Sequence, residues 1–436
     1  MKSPILFLNP LDLKFMRYPR LNLLVSLFIL AAGISQAQSL TLAQCYELAK
    51  KNYPLIKQRA LISQSKEFSV ANLRSGYLPQ LSINGQATYQ SAVTQVPISL
   101  PGLDIKPLSK DQYKIYADIN QNLFDGNNIK NQSLVQETSA RVEDQKLEVE
   151  LYKVNDRINQ IFFGVLMMDE QARQIELIQN DLKSSLTKVE ASIANGVAFK
   201  TSADILQAEL LKTEQRIIET RSNRKAFLQM LGLFINQELN EKTVLEKPLA
   251  FDTAPDAINR PELSLYNFQT ELLGSQYKLN NTKVLPKMSL FAQGGYGRPG
   301  LNALLNEFST YYIGGLRLSW NIGGYYNLAR DKQLLDVNVQ ALNAQKETFL
   351  FNTKVSLKQQ SGEITKLQEL IAVDRKIIDL RARIKSTAKA QLDNGVITAN
   401  DYLRELNAED QASENLIFHG IQLLLNQYAY KTTSGN

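Results

Sequence analysis

The 436-residue sequence predicts an α+β chain built from two repeats, each a pair of β-strands carried on long helices. Three observations predict it. Residues 52–82 align without a gap on residues 259–289, so that Asn52, Pro54, Leu78, Pro79 and Ser82 fall on Asn259, Pro261, Leu285, Pro286 and Ser289. After each Leu-Pro, apolar and polar residues alternate with period two, the signature of a strand with one apolar face. Elsewhere the chain holds few helix breakers, 13 prolines and 21 glycines in all, and apolar residues recur at the three-four spacing of a coiled-coil seam.

The N-terminus reads as a secretory signal peptide over residues 1–37. Arg17 and Arg20 are its charged region, 21–32 its apolar core and Ser35-Gln36-Ala37 its cleavage site. That core is too short to span a bilayer comfortably as an anchor. Beyond residue 37 the formal charge is +3, too mild for a nucleic-acid binder. The single cysteine, Cys45, excludes an internal disulfide. It lies in a helical pattern and reads as a small buried hydrophobe.

The first repeat occupies 38–233. Its helix starts near Pro54, where proline suits the first turn, and stops before Pro79, because the residue preceding proline disfavours helical angles. Strands follow at about 80–95 and 110–124, then a helical hairpin at about 127–232 with its tip at 195–200. A linker covers 234–258. The second repeat, 259–430, gives strands at about 287–297 and 309–322 and a hairpin at about 327–430 with its tip at 394–398. Residues 431–436 read as a tail.

The strand faces separate cleanly. Leu81, Ile83, Gly85, Ala87, Tyr89 and Val93 oppose Ser82, Asn84, Gln86, Thr88 and Gln90. Tyr113, Ile115, Ala117 and Ile119 oppose Lys114, Asp118, Asn120 and Asn122. Met288, Leu290, Ala292 and Tyr296 repeat the pattern, as do Tyr312, Leu316, Leu318 and Trp320 against Arg317, Ser319 and Asn321. A half-buried soluble sheet would alternate in the same way. Strand length, interface-type aromatics (Tyr89, Tyr113, Tyr296, Trp320) and a strongly polar second face favour a membrane barrel. Four strands cannot close one, and an open edge is not tolerated in lipid. Two chains would supply eight strands, with an interior filled by side chains; three would supply twelve, with room for a passage.

The seam runs through 147, 151, 154, 158, 161, 165, 168, 172 and 175, then 182, 186, 189 and 193. In the second repeat it runs through 334, 337, 341, 344, 348, 351 and 355, then less regularly to Leu392. A generic coiled-coil rod would explain the helices, but not the strand pairs or the duplication. No metal-spaced ligand cluster, phosphate-binding glycine loop or nucleophile elbow is present. The lone histidine, His419, lies on a helix and reads as structural. "GGYGRPG" at 294–300 reads as a surface loop. Neither an enzyme nor a cofactor is expected.

The order of these pieces resembles the TolC-like outer-membrane efflux protein family. The pieces are "LTLAQCYELAKKNYP", the repeated Leu-Pro before a strand, "LFDG" leaving the second strand, and Asn-Gly-Val followed by Asp-x-Leu. The resemblance implies an outer-membrane β-barrel formed by a homotrimer, four strands per chain, continuous with a long α-helical coiled-coil barrel through the periplasm. It implies a passive exit duct for efflux or secretion. Its partners would be a periplasmic adaptor (membrane fusion) protein, an inner-membrane transporter indirectly, and outer-membrane lipid, with no nucleic acid.

Pro79 and Pro286 would mark the helix-to-barrel junction. The turns at Asn195, Gly196 and Val197 and at Asn394, Gly395 and Val396 would meet the adaptor and surround the aperture. Asp401 matches the first of two aperture acids, the alternative being a helix N-cap favoured by the helix dipole, but Arg404 stands at the second. Asp204 matches a latch acid whose usual partners fall here on Leu392 and Ile397, so that latch is expected to be absent. The runner-up reading is a periplasmic coiled-coil adaptor or scaffold without channel activity.

Overall fold

The structure, a computed structural model, describes residues 39–94, 107–251 and 257–436. The expected signal peptide lies outside them. Helix α1 (Leu42–Asn52) opens on a capping box in which Thr41 and Gln44 satisfy each other's backbone amides. Pro54 starts a short 3₁₀ turn, and α2 (Gln58–Arg74) follows. Leu78 is extended (ψ 155°) ahead of Pro79. Strands β1 (Gln80–Tyr89) and β2 (Asp111–Phe124) come next. Helices α3 (Asn128–Tyr152) and α4 (Val154–Ala194) are separated only by a loosened turn at Lys153. Helix α5 (Lys200–Ile235) returns. The second repeat supplies α6 (Pro261–Thr282), β3 (Lys287–Arg298), β4 (Ser309–Ser319), α7 (Tyr325–Asp393) and α8 (Ala399–Ser434). The 69 residues of α7 span about 100 Å at 1.5 Å per residue.

Four boundaries differ from the sequence reading. Strand β1 stops at Tyr89, leaving Val93 outside it. Trp320 lies one residue beyond β4. Residues 431–434 belong to α8 rather than to a tail, because Gly435 (φ 88°) caps the helix and the Asn259 amide donates to the Ser434 carbonyl at 2.7 Å. Three of the four glycines of "GGYGRPG", Gly294, Gly295 and Gly297, are strand, not loop, and only Gly300 lies beyond it. A Cβ at Gly295 would lie 2.7 Å from the Tyr116 Cβ, and one at Gly297 would lie 2.9 Å from the Lys114 Cγ, so only glycine fits beside β2.

The strands form one antiparallel sheet in the order β1-β2-β3-β4. Its central pairing joins the repeats. The register sets Leu81 opposite Ile119, Ile119 opposite Ala292, and Leu290 opposite Leu316, so the four apolar faces merge into one. A register shift between Asn122 and Phe124 turns Phe124 onto that face, opposite Met288. Among the described residues no helix covers it: Ile83 is 75% exposed and Leu318 73%. A half-buried soluble sheet would be covered. The opposite face is mixed rather than uniformly polar, since Tyr116, Phe291, Tyr311 and Ile313 interrupt it.

Below the sheet the helices lie side by side as a wall. Next to the strands the order is α2-α3-α6-α7; farther down it is α5-α4-α8-α7. At mid-length α1 packs on α4 and α5, burying Leu42, Cys45 and Ala49 among Ile158, Phe162, Leu228 and Ile235. The first-repeat seam is buried as expected at Leu147, Leu151, Val154, Ile158, Ile161 and Leu182. The second is not: Leu334, Val337, Phe351 and Val355 are exposed. The cause is topological. Helix α7 is the wall's edge, with neighbours on one side only, and there it buries Leu342, Ile364, Leu367 and Ala388 instead.

Candidate functional site

Both helical tips are closed by the same device. The Gly196 amide donates to the Ile193 carbonyl (3.0 Å) and the Val197 amide to that of Ser192 (2.9 Å). Gly395 and Val396 donate likewise to Leu392 (3.0 Å) and Gln391 (2.8 Å). Each is a Schellman motif, with its glycine left-handed at φ 73° and 70°. Asn195 and Asn394 are the helix C-caps. Val197, Phe199 and Val396 stand 75%, 83% and 69% exposed at the extreme end, where bare apolar side chains suit a protein contact. Phe199 and its exposure escaped the sequence reading.

Asp401 is not an N-cap. Thr398 is the cap, its Oγ1 accepting the Asp401 amide at 3.2 Å, while the Asp401 carboxylate accepts the Thr398 amide at 3.2 Å. The pattern Thr-x-x-Asp was the overlooked signal. Hydrogen bonds from the Thr398 hydroxyl and amide hold the Asp401 carboxyl below its usual range. Arg404 sits 3.8 Å from Asp401 and 3.1 Å from Glu405, and is 72% exposed, so cation and acids alternate here. Asp204 is exposed. Leu392 is buried and Ile397 half-buried in an apolar plug with Leu182, Leu206, Tyr402 and Leu406.

Ion pairs couple the two hairpins at other positions. Asp181 on α4 pairs with Lys385 (3.2 Å) and Lys389 (2.9 Å) on α7, and Lys385 also reaches Glu409 on α8 at 3.0 Å. Lys188 pairs with Asp393 at 2.5 Å, and Arg216 pairs with Asp410 (2.7 Å) and with Glu414. Burial alone would raise the Asp181 carboxyl, but the two lysines outweigh it and hold it low. Burial likewise opposes the Lys385 ammonium, and Glu409 and Asp181 hold it above its usual value. His419 Nδ1 lies 2.6 Å from the buried Asp374 carboxylate, tying α8 to α7, a structural position.

At the opposite end the helices meet the sheet. Side-chain amides of Gln121 and Asn122 donate to the Tyr77 (2.6 Å) and Gly76 (3.0 Å) carbonyls, fixing the chain just before Leu78-Pro79. Trp320 Nε1–H donates to the Val284 carbonyl at 2.9 Å, fixing the chain before Leu285-Pro286. Gly126 (φ 68°) passes so close that a Cβ would lie 2.9 Å from the Leu285 Cβ.

The aromatics divide between the two ends of the sheet. Trp320 is at the helix end; Tyr89, Tyr113 and Tyr296 are at the far end, where Tyr113 and Tyr296 stack on Phe308. From Lys287 to Tyr296 is about 30 Å along a strand, or about 23 Å along the normal at the usual tilt, close to the apolar band of a membrane barrel.

A sheet uncovered on its apolar side and edged by open strands, set on a wall of long helices, defines an outer-membrane channel fold of the TolC-like kind. Solved structures share this fold. The outer membrane protein VceC from Vibrio cholerae is 13% identical, with a TM-score of 0.63 over 91% of this chain and 96% of that one. The Campylobacter jejuni CmeC outer membrane channel is 14% identical, with a TM-score of 0.61 over 90% and 85%. The Neisseria gonorrhoeae MtrE outer membrane channel, solved in an open state, is 14% identical, with a TM-score of 0.59 over 91% and 89%. No family model matches the sequence, and no curated protein matches it.

Proposed function

We propose that this protein is the outer-membrane exit duct of a tripartite efflux or secretion assembly and works as a homotrimer. One observation carries the reading. The sheet has an uncovered apolar face of transmembrane height, and among the described residues its edge strands β1 and β4 have no partner. Lipid satisfies the face, and a ring of chains pairing β4 with the next β1 satisfies the edges. The duct catalyses nothing. A periplasmic adaptor docks on the Val197, Phe199 and Val396 tips, and an inner-membrane transporter supplies energy through it. Asp401 and Arg404 line the aperture, and the Asp181–Lys385–Glu409 and Arg216–Asp410 pairs hold the hairpins in the closed arrangement.

The test is fractionation and conductance. The protein is expected in the outer membrane as a trimer that opens ion-conducting pores in planar bilayers. A soluble periplasmic monomer that leaves bilayers sealed would overturn the proposal in favour of a scaffold.

A further inference from the structure

The mixed face of the sheet carries three cations against one acid: Lys114, Lys287 and Arg317 against Asp118. Two of the cations stand together at the helix end. Arg317 is opposite Ser289 and Lys287 opposite Ser319, which makes them diagonal neighbours on β4 and β3. Such neighbours are roughly 7–8 Å apart.

Arg317 is also held in place. Its guanidinium lies 4.8 Å from the Phe291 ring centroid. That ring in turn lies against Gly315, where a Cβ would approach it to 3.3 Å. Glycine, ring and guanidinium therefore form a stack that fixes the charge against the wall instead of leaving it to sweep through solvent.

Among the described residues nothing on this face neutralises the pair. Asp118 is opposite Gln293, four residues from Ser289 and so about 13 Å away along the strand. Asp125, just past Phe124, is 9% exposed, and its Oδ2 accepts the Ile129 amide at 2.7 Å, which commits it to the start of α3. When a neighbouring β1 closes the barrel beside β4, it brings Gln80, Ser82, Asn84, Gln86 and Thr88 to this face, and no acid among them.

We propose that Arg317 and Lys287, repeated in each subunit, form a cationic ring at the helix-side mouth of the barrel and make the lumen favour small anions over cations. The proposal rests on the trimeric channel reading. Rings of Arg and Lys select anions in pores, and a lipid-backed wall focuses their field.

The test is the zero-current potential of the full mature protein in planar bilayers under a KCl gradient. The unmodified channel is expected to pass chloride in preference to potassium. The double variant Arg317→Gln/Lys287→Gln is expected to lower the chloride-to-potassium permeability ratio by about twofold or more, most strongly at low salt where screening is weak. Arg317→Lys, which keeps the charge, is expected to preserve the ratio. A potassium preference in the unmodified channel, or an unchanged ratio in the double variant, would overturn the ring while leaving the channel standing. A protein that conducts nothing would overturn the channel and the ring with it.

Discussion

Thr398 and Asp401 show how one residue can serve two ends. Removing the Thr398 hydroxyl costs the α8 cap about 1 kcal/mol without changing any charge. Thr398→Ala is therefore expected to lower the melting temperature and leave single-channel conductance alone. Asp401→Ala removes half of the capping box and also a charge, so it is expected to change both. If the two variants changed conductance equally, Asp401 would be a capping residue only. Because its carboxyl is held low by Thr398, the Asp401 half of the capping box is present above the usual carboxylate range and is lost as pH falls through that lowered value, while the Thr398 half remains. Gly126 is the residue-scale test of the junction. With φ 68° and the Leu285 Cβ where a methyl would go, Gly126→Ala is expected to destabilise by about 2 kcal/mol or more, read as a lower midpoint in urea.

Between elements, the ion pairs that join the hairpins make their coupling depend on acid. The depressed carboxyl of Asp181 favours the folded pairing above its ordinary value of 3.8, and that contribution fades as pH falls through the lower folded value. The raised Lys385 contributes at all lower pH and fades only as pH climbs through its raised value, above 10.5. Acidification is thus the direction that loosens α4 from α7. Asp181→Asn is expected to weaken the link by about 1 kcal/mol at neutral pH, since the pairs are partly exposed, and to flatten the loss of stability between pH 5 and pH 3. An unaltered acid profile in a pH series of melts would place the coupling elsewhere.

These pairs were not legible in the sequence: Lys188 and Asp393 are 205 positions apart, and only the folded register brings them together. What was legible had local causes. Proline dictates the backbone before it, so Pro79 and Pro286 announced the junctions. Asn-Gly at a helix end announced the tips. Period-two alternation announced the strands and their shared face. The misreadings shared a cause too: glycines at 294–297 look like a loop until Tyr116 and Lys114 are seen beside them.

For the whole molecule, the exposed edge of α7 is the main unfinished surface. Its apolar stripe continues from Val355 to Val373, Ile377, Leu380 and Ile384. The other edge of the wall offers Leu61 and Phe68 on α2 and Leu211 and Ile218 on α5, two exposed pairs with heptad spacing. Counting 1.5 Å per residue from the junction puts Phe68 level with Leu334 and Val337; counting from the tips puts Leu211 level with Leu380. Within one chain the second seam is left open, and in the trimer proposed above its partner is a second copy of the chain, which no single sequence displays. The double variant Val337→Lys/Leu380→Lys is expected to yield monomers by analytical ultracentrifugation in detergent. Retention of the trimer would mean that the edges meet through other residues.

The central pairing of the sheet has a consequence for how the molecule is made. Ile115 pairs with Tyr296, across the whole first helical hairpin and the start of the second repeat. Contacts so remote in sequence form slowly, whereas helical turns form locally and at once. The newborn chain therefore has its helical rods before its sheet, and for an interval it carries four loose strands with adhesive edges. In the trimer proposed above, maturation would therefore proceed from rod to barrel, and the step most exposed to aggregation would fall last, when successive copies must find one another.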